Sequence, residues 1–154
     1  MIINNSVTTY APIAPSYFDG CLFMNATYEM PEELANLFTK GLEILSRHLY
    51  EKNIKPSNLF PISLIFTKDG SFSITENDTS TYGRCMSFIV YSMEKLINCN
   101  NTHMQLFVFI EELVHYYFQE TNEIKAKMIT LSIVQKVFPE ITFEEVVSWE
   151  VNWI

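Results

Sequence analysis

The spacing of apolar residues along this chain predicts both helices and strands. Apolar positions three and four residues apart favour helices, whereas alternating or short continuous apolar runs favour strands. The predicted helices cover residues 31–53, 102–119 and 122–137, with a helical turn at 93–98 and a short helix from 142. The predicted strands cover residues 21–24, 61–67, 71–75 and 86–91. The pattern therefore indicates an α+β fold.

The strands are predicted to form a small, mainly antiparallel sheet that packs with the three main helices. Asp69-Gly70 separates the apolar runs 61–67 and 71–75, and this dipeptide is a strong hairpin signal. No internal repeat and no low-complexity linker interrupts the pattern. We therefore expect residues 1–154 to form a single domain.

The most apolar helix carries three ionisable side chains in its middle. Residues 107–118 are apolar or aromatic except for Glu111, Glu112 and His115. A helix of this composition is expected inside the protein, where carboxylates and imidazoles need a partner or a metal ion. The central helix is therefore the first place to look for a functional site.

Charge and composition exclude several classes of function. The 154 residues carry a net charge of −8, which disfavours binding to nucleic acid and to anionic membranes. No apolar run reaches the roughly 20 residues that span a bilayer. The N-terminus lacks the basic and apolar regions of a secretory signal, and the three cysteines form no C-x-x-C pair. We expect a cytoplasmic protein without disulfides.

The spacing of the ionisable residues is that of a metal-hydrolase motif. On a helix, Glu111 and His115 lie one turn apart on the same face, and Glu112 projects about 100° away. In the H-E-x-x-H motif the residues at i and i+4 bind the metal, and the intervening Glu acts as the general base. Here the sequence reads Glu-Glu-Leu-Val-His, so only the first ligand differs, and a carboxylate also binds zinc.

Residues 61–137 resemble a small zincin metallopeptidase of the gluzincin type. The strand at 86–91 precedes the motif helix, as the edge strand on the substrate side does in that family. Thr121-Asn122-Glu123 opens the next helix much as an Asn-Glu pair opens the glutamate helix of gluzincins. The resemblance implies that Glu112 is the catalytic base and that Glu111, His115 and Glu123 are the metal ligands. It also implies a peptide or protein substrate.

The departure from the family lies at the first ligand, where Glu111 replaces a histidine. A Glu-His-Glu site is harder and more negative than a His-His-Glu site. We expect one divalent ion, either Zn²⁺ or one of Mn²⁺ and Fe²⁺, whose relative preference the second carboxylate raises. The short interval from His115 to Glu123 requires a tight turn between the two helices.

Two other interpretations stay open. The chain could be a non-catalytic relative that keeps the fold, has lost the metal and works by binding a partner. It could also be a structural domain with a Glu–His network, in which Glu123 pairs with Lys127 one turn further on. The aromatic C-terminus, residues 149–154, is expected to dock on the body of the protein or to form a homo-oligomer.

Overall fold

Three strands and five α-helices are formed by the residues that the computed structural model describes, which are 3–73, 83 and 85–150. The strands are β1 (Leu22–Ala26), β2 (Ile62–Thr67) and β3 (Phe88–Ser92). The helices are α1 (Glu32–Glu51), α2 (Met93–Asn98), α3 (Thr102–Tyr117), α4 (Glu123–Val134) and α5 (Phe143–Glu150). Short 3₁₀ turns lie at Ser16–Phe18 and Pro56–Asn58. The α+β class is confirmed.

The sheet is parallel, and the prediction of a mainly antiparallel sheet is wrong. The strand order is β1-β2-β3, and both neighbouring pairs run in the same direction. The α1 helix connects β1 to β2, and the long segment 68–87 connects β2 to β3, so both connections are long enough for parallel crossovers. The expected hairpin strand does not follow β2, because residues 71–73 are not in a strand and residues 74 and 75 lie outside the described residues.

The α1 helix packs on the sheet and on α3 through one apolar face. Its buried residues include Leu34, Phe38, Leu42, Leu45 and Leu49, which recur at helical spacing. Glu32 and Glu33 stand in its first turn, where the helix dipole favours acids. A methyl group at Gly41 would lie 2.7 Å from the Leu106 Cδ1 atom, so glycine lets α1 approach α3 closely. The longest helix thereby fixes the position of α3 against the sheet.

Aromatic rings fill the space between α1, α3 and the sheet. The Phe38 and Phe109 rings stack with centroids 4.1 Å apart, and Phe66 stacks on Tyr91 at 5.4 Å. The buried Tyr91 hydroxyl donates a 2.9 Å hydrogen bond to the Phe109 carbonyl oxygen. These contacts join β3 to the middle of α3, two residues before Glu111.

The α4 helix packs on α3 and α1 through a face that agrees only in part with the apolar face predicted from helical spacing, which is Ile124, Met128, Leu131, Val134 and Phe138. Its buried residues are Ala126, Lys127, Thr130, Ile133 and Val134. Val134 of the predicted face is buried, whereas Ile124 and Met128 lie in solvent and are 61% and 59% exposed. The helix is apolar on more than one side, so its own pattern does not select the packed face.

The C-terminal helix docks on the body of the protein. The Trp149 ring meets Phe107 edge-on with centroids 5.6 Å apart, and the tryptophan is 9% exposed. The rest of the predicted aromatic terminus, residues 151–154, lies outside the described residues. Among the residues that the structure does describe, no helix is long and apolar enough to cross a membrane.

Candidate metal centre

The predicted site residues lie where the end of α3 meets the start of α4. The turn between the helices is short because Gln119 adopts a left-handed conformation with φ of 51°, which ends α3. Asn122 then caps α4, since its Oδ1 atom accepts a 3.0 Å hydrogen bond from the Lys125 backbone N–H. At the α3 end, the Tyr116 hydroxyl donates to the Pro61 carbonyl oxygen at 2.8 Å. The tight turn that the sequence requires is therefore present, and it is tied to the start of β2.

The His115 ring is oriented by the backbone of the same turn. Its Nδ1 atom lies 2.6 Å from the Glu120 carbonyl oxygen. A carbonyl oxygen can only accept a hydrogen bond, so Nδ1 carries the proton. In the neutral imidazole this leaves the Nε2 lone pair available, and a backbone acceptor on the other nitrogen is the usual support of a metal-binding histidine.

The three predicted ligands converge on one place. One ligand atom from each of Glu111, His115 and Glu123 lies within 4.8 Å of the others. The His115 Nε2 and Glu123 Oε2 atoms are 3.6 Å apart. Two ligand atoms about 2.1 Å from a tetrahedral ion are separated by about 3.4 Å, so this spacing fits a shared metal ion. Glu111 and His115 are partly buried, whereas Glu123 reaches in from the exposed first turn of α4.

Comparison with known proteins does not identify the chain. No protein-family model, no curated protein and no solved structure matches it. The resemblance to zincins consequently depends on the chain's own motif and order of elements, and it stays a prediction.

A buried lysine from α4 also lies at this site, and only one of its two contacts is predicted from the sequence. The Lys127 Nζ atom lies 2.7 Å from the Glu111 Oε1 atom and 3.7 Å from the Glu123 Oε2 atom. The lysine is only 7% exposed. The i, i+4 spacing on α4 predicts its pairing with Glu123, which lies one turn earlier. The shorter contact crosses between helices to Glu111, and no sequence spacing indicates it.

Glu112 lies beside the cluster and remains open to solvent. Partial burial of its carboxyl group raises its pKa, and the charges of Glu111 and Glu123 act in the same direction, whereas His115 and Lys127 act in the opposite one. The Glu112 charge also helps to raise the pKa of Tyr91 on β3, although burial of that tyrosine is the larger cause.

The balance of charge at this place favours a further cation. Glu111, Glu112 and Glu123 contribute three carboxylates, and Lys127 contributes one ammonium group. The three carboxylates and the one ammonium group have formal charges that sum to −2. A divalent cation would neutralise them. The donor set of two carboxylates and one imidazole is one that Zn²⁺, Mn²⁺ and Fe²⁺ accept.

Proposed function

We propose that this protein is a metal-dependent hydrolase of the peptidase-like kind, with a zincin-like arrangement of β3, α3 and α4. The convergence of Glu111, His115 and Glu123, with ligand atoms within 4.8 Å of one another, is the observation that carries the proposal. The contact of His115 Nδ1 with the Glu120 carbonyl oxygen supports it, because it directs Nε2 toward Glu123.

In this proposal Glu111, His115 and Glu123 hold one divalent ion, either zinc or one of manganese and iron. When bound, the ion supplies Lewis-acid chemistry to a carbonyl substrate. The contact between Lys127 and Glu111 uses the Oε1 atom of that carboxylate. A carboxylate has two oxygens with about four acceptor positions, so Glu111 can accept from the lysine and still offer a ligand atom.

Glu112 is the general base of the proposed reaction. It follows the first ligand directly in sequence, so its side chain points to a different side of α3 from Glu111 and His115. Its exposure to solvent lets it accept a proton from an attacking water molecule and return that proton to the leaving group. In this assignment Glu112 transfers protons next to the metal ion but does not bind it.

The exposed side of β3 offers a place for an extended peptide. Among the described residues, β3 pairs only with β2, so its other edge has backbone groups without a strand partner. An extended peptide can add to such an edge through main-chain hydrogen bonds. These features support a peptide or protein substrate.

The test is a titration of purified protein with Zn²⁺ and Mn²⁺, followed by a survey of hydrolysis on a mixed peptide library. We expect one ion per chain and a melting temperature that rises with ion concentration. His115→Ala abolishes both effects, whereas His103→Ala, a change on the same helix about 18 Å away, leaves them intact. Glu112→Gln keeps the metal and loses hydrolysis.

Two results would contradict the proposal in different ways. If neither ion binds or changes the melting temperature at saturating concentration, the metal centre does not exist. If the metal binds but Glu112→Gln hydrolyses peptides as fast as the natural chain, Glu112 is not the base.

The contact between Lys127 and Glu111 favours a second candidate function. An ammonium group at 2.7 Å can satisfy the Glu111 carboxylate without any metal. The chain would then be a non-catalytic interaction protein of zincin-like fold, with the homo-oligomer contact through the aromatic C-terminus as one form of partner binding. Failure of both ions to bind, together with dimers detected by sedimentation, would favour this candidate.

A further inference from the structure

Lys127 is the most deeply buried charged side chain of the candidate metal centre. Its side chain is 9% exposed, compared with 14% for Glu111 and 70% for Glu123. A buried ammonium group is stable only when it is paired and hydrogen-bonded. Lys127 meets this requirement through the Glu111 Oε1 atom at 2.7 Å, with the Glu123 Oε2 atom at 3.7 Å.

The ammonium group therefore contacts the same carboxylates that would hold a metal ion. Glu123 Oε2 is also the atom that lies 3.6 Å from His115 Nε2. An ion about 2.1 Å from this oxygen would lie within about 6 Å of the lysine nitrogen. Two cations at such a distance repel each other strongly in a site that is partly shielded from water.

We propose that Lys127 is a built-in cation that competes with the divalent metal ion for Glu111 and Glu123 and thereby sets the metal affinity of the site. The inference rests on the proposed metal centre. Without metal, Lys127 neutralises the partly buried Glu111 carboxylate and keeps the two helices joined. With metal, the ion supplies that positive charge, and the ammonium group moves away from Glu123.

Competition from Lys127 lowers the affinity of the site for a metal ion, and a change at Lys127 should change that affinity. A neutral residue in place of Lys127 removes one positive charge from the immediate surroundings of the ion, so the ion should bind more tightly. The same substitution leaves Glu111 with an uncompensated, partly buried charge when no metal is present, so the metal-free protein should become less stable. These two effects have opposite signs, and a purely structural role for Lys127 would produce only the second.

The experiment compares Lys127→Met with the natural chain by calorimetric titration of Zn²⁺ and Mn²⁺. We expect Lys127→Met to bind the preferred ion about 10- to 100-fold more tightly, a range typical of removing one nearby charge. Its metal-free melting temperature should fall, and saturating metal should restore it. Lys127→Arg keeps the charge and should keep the natural affinity. Lys125→Met, an exposed lysine on the same helix, controls for the loss of one surface charge.

The outcomes separate this inference from the proposed function. If the natural chain binds metal and Lys127→Met binds with equal or lower affinity, the competition is refuted and the metal centre stands. If only Lys127→Met binds metal, the competition is supported and the natural chain does not work as a metal enzyme. If neither binds, both ideas fail.

A second variant covers the case in which Lys127→Met does not fold. Lys127→Gln retains an amide that can donate to Glu111 while it removes the charge. It should also bind metal more tightly than the natural chain, and an unchanged affinity in this variant would overturn the inference.

Discussion

Ionisable side chains between α3 and α4 are each held by a different kind of contact. His115 is oriented by a backbone carbonyl, Glu111 by a lysine from the neighbouring helix, and Glu123 by its position in the first turn of α4. The sequence predicts the three ligands because the i, i+4 spacing and the start of the next helix are both readable from it. It does not predict the partnership of Lys127 with Glu111, because that contact depends on which face of α4 meets α3.

His48 provides a prediction at the scale of one residue. It is buried in α1 beside the Phe118 ring, with centroids 5.9 Å apart. Burial lowers its pKa below the usual 6.5, and the nearby Lys136 and Lys52 lower it further. The unfolded chain therefore binds a proton at this histidine at a higher pH than the folded chain does. Stability should fall as the pH drops below about 6.5.

The measurement is the free energy of unfolding in urea at pH values from 7.5 to 5. His48→Gln removes the titrating group, so we expect its stability to decline less steeply over this interval than that of the natural chain. Equal slopes for the two proteins would contradict the assignment of a lowered pKa to His48.

At the scale of the elements, the ends of the helices determine where the proposed ligands lie. Asn101 and Asn122 cap α3 and α4 in the same way, with Oδ1 atoms 3.1 Å from the Met104 backbone nitrogen and 3.0 Å from the Lys125 backbone nitrogen. Only Asn122 lies next to a proposed ligand, because Glu123 is the first residue of α4. Asn101 lies at the opposite end of α3 from His115, about 20 Å away.

This pair of caps gives a matched prediction. Asn101→Ala and Asn122→Ala should each lower the free energy of unfolding by about 1 kcal/mol, the usual cost of losing an N-cap. Asn122→Ala should in addition weaken metal binding several-fold, because the first turn of α4 loosens around Glu123. Calorimetric titration of both variants would contradict this account if they lost metal affinity equally.

The positions of elements were predicted better than their contacts. The predicted helix at 31–53 is observed at Glu32–Glu51, and the predicted strand at 61–67 is observed at Ile62–Thr67. Periodicity and capping residues determine such bounds locally. The packed face of α4 is predicted only in part: Val134 is buried, but Ile124 and Met128 continue an apolar pattern that tertiary packing leaves in solvent.

The direction of the sheet could be predicted only at the scale of the whole molecule. The Asp69-Gly70 turn suggested a local hairpin, and this suggested antiparallel pairing. The structure instead pairs both β1 and β3 parallel to β2, and the connections within both pairs are long enough for parallel crossovers. The parallel strands all begin at the same end of the sheet. The Tyr116 hydrogen bond to Pro61 brings the end of α3 to that end, next to the start of β2.

This arrangement leads to one account of the molecule. The sheet and α1 hold α3 rigidly through buried aromatic rings, and the short turn at Gln119 brings α4 back against it. Glu111, His115 and Glu123 then face one another, with Lys127 between the two carboxylates. The central claim is that these three residues bind a divalent metal ion.

Anomalous X-ray scattering from crystals grown with excess Zn²⁺ or Mn²⁺ tests this claim most directly. We predict a single strong anomalous peak about 2.0–2.3 Å from His115 Nε2 and from one oxygen each of Glu111 and Glu123. The Lys127 ammonium group should have moved away from Glu123. A map without a peak at this position at saturating metal would contradict the account.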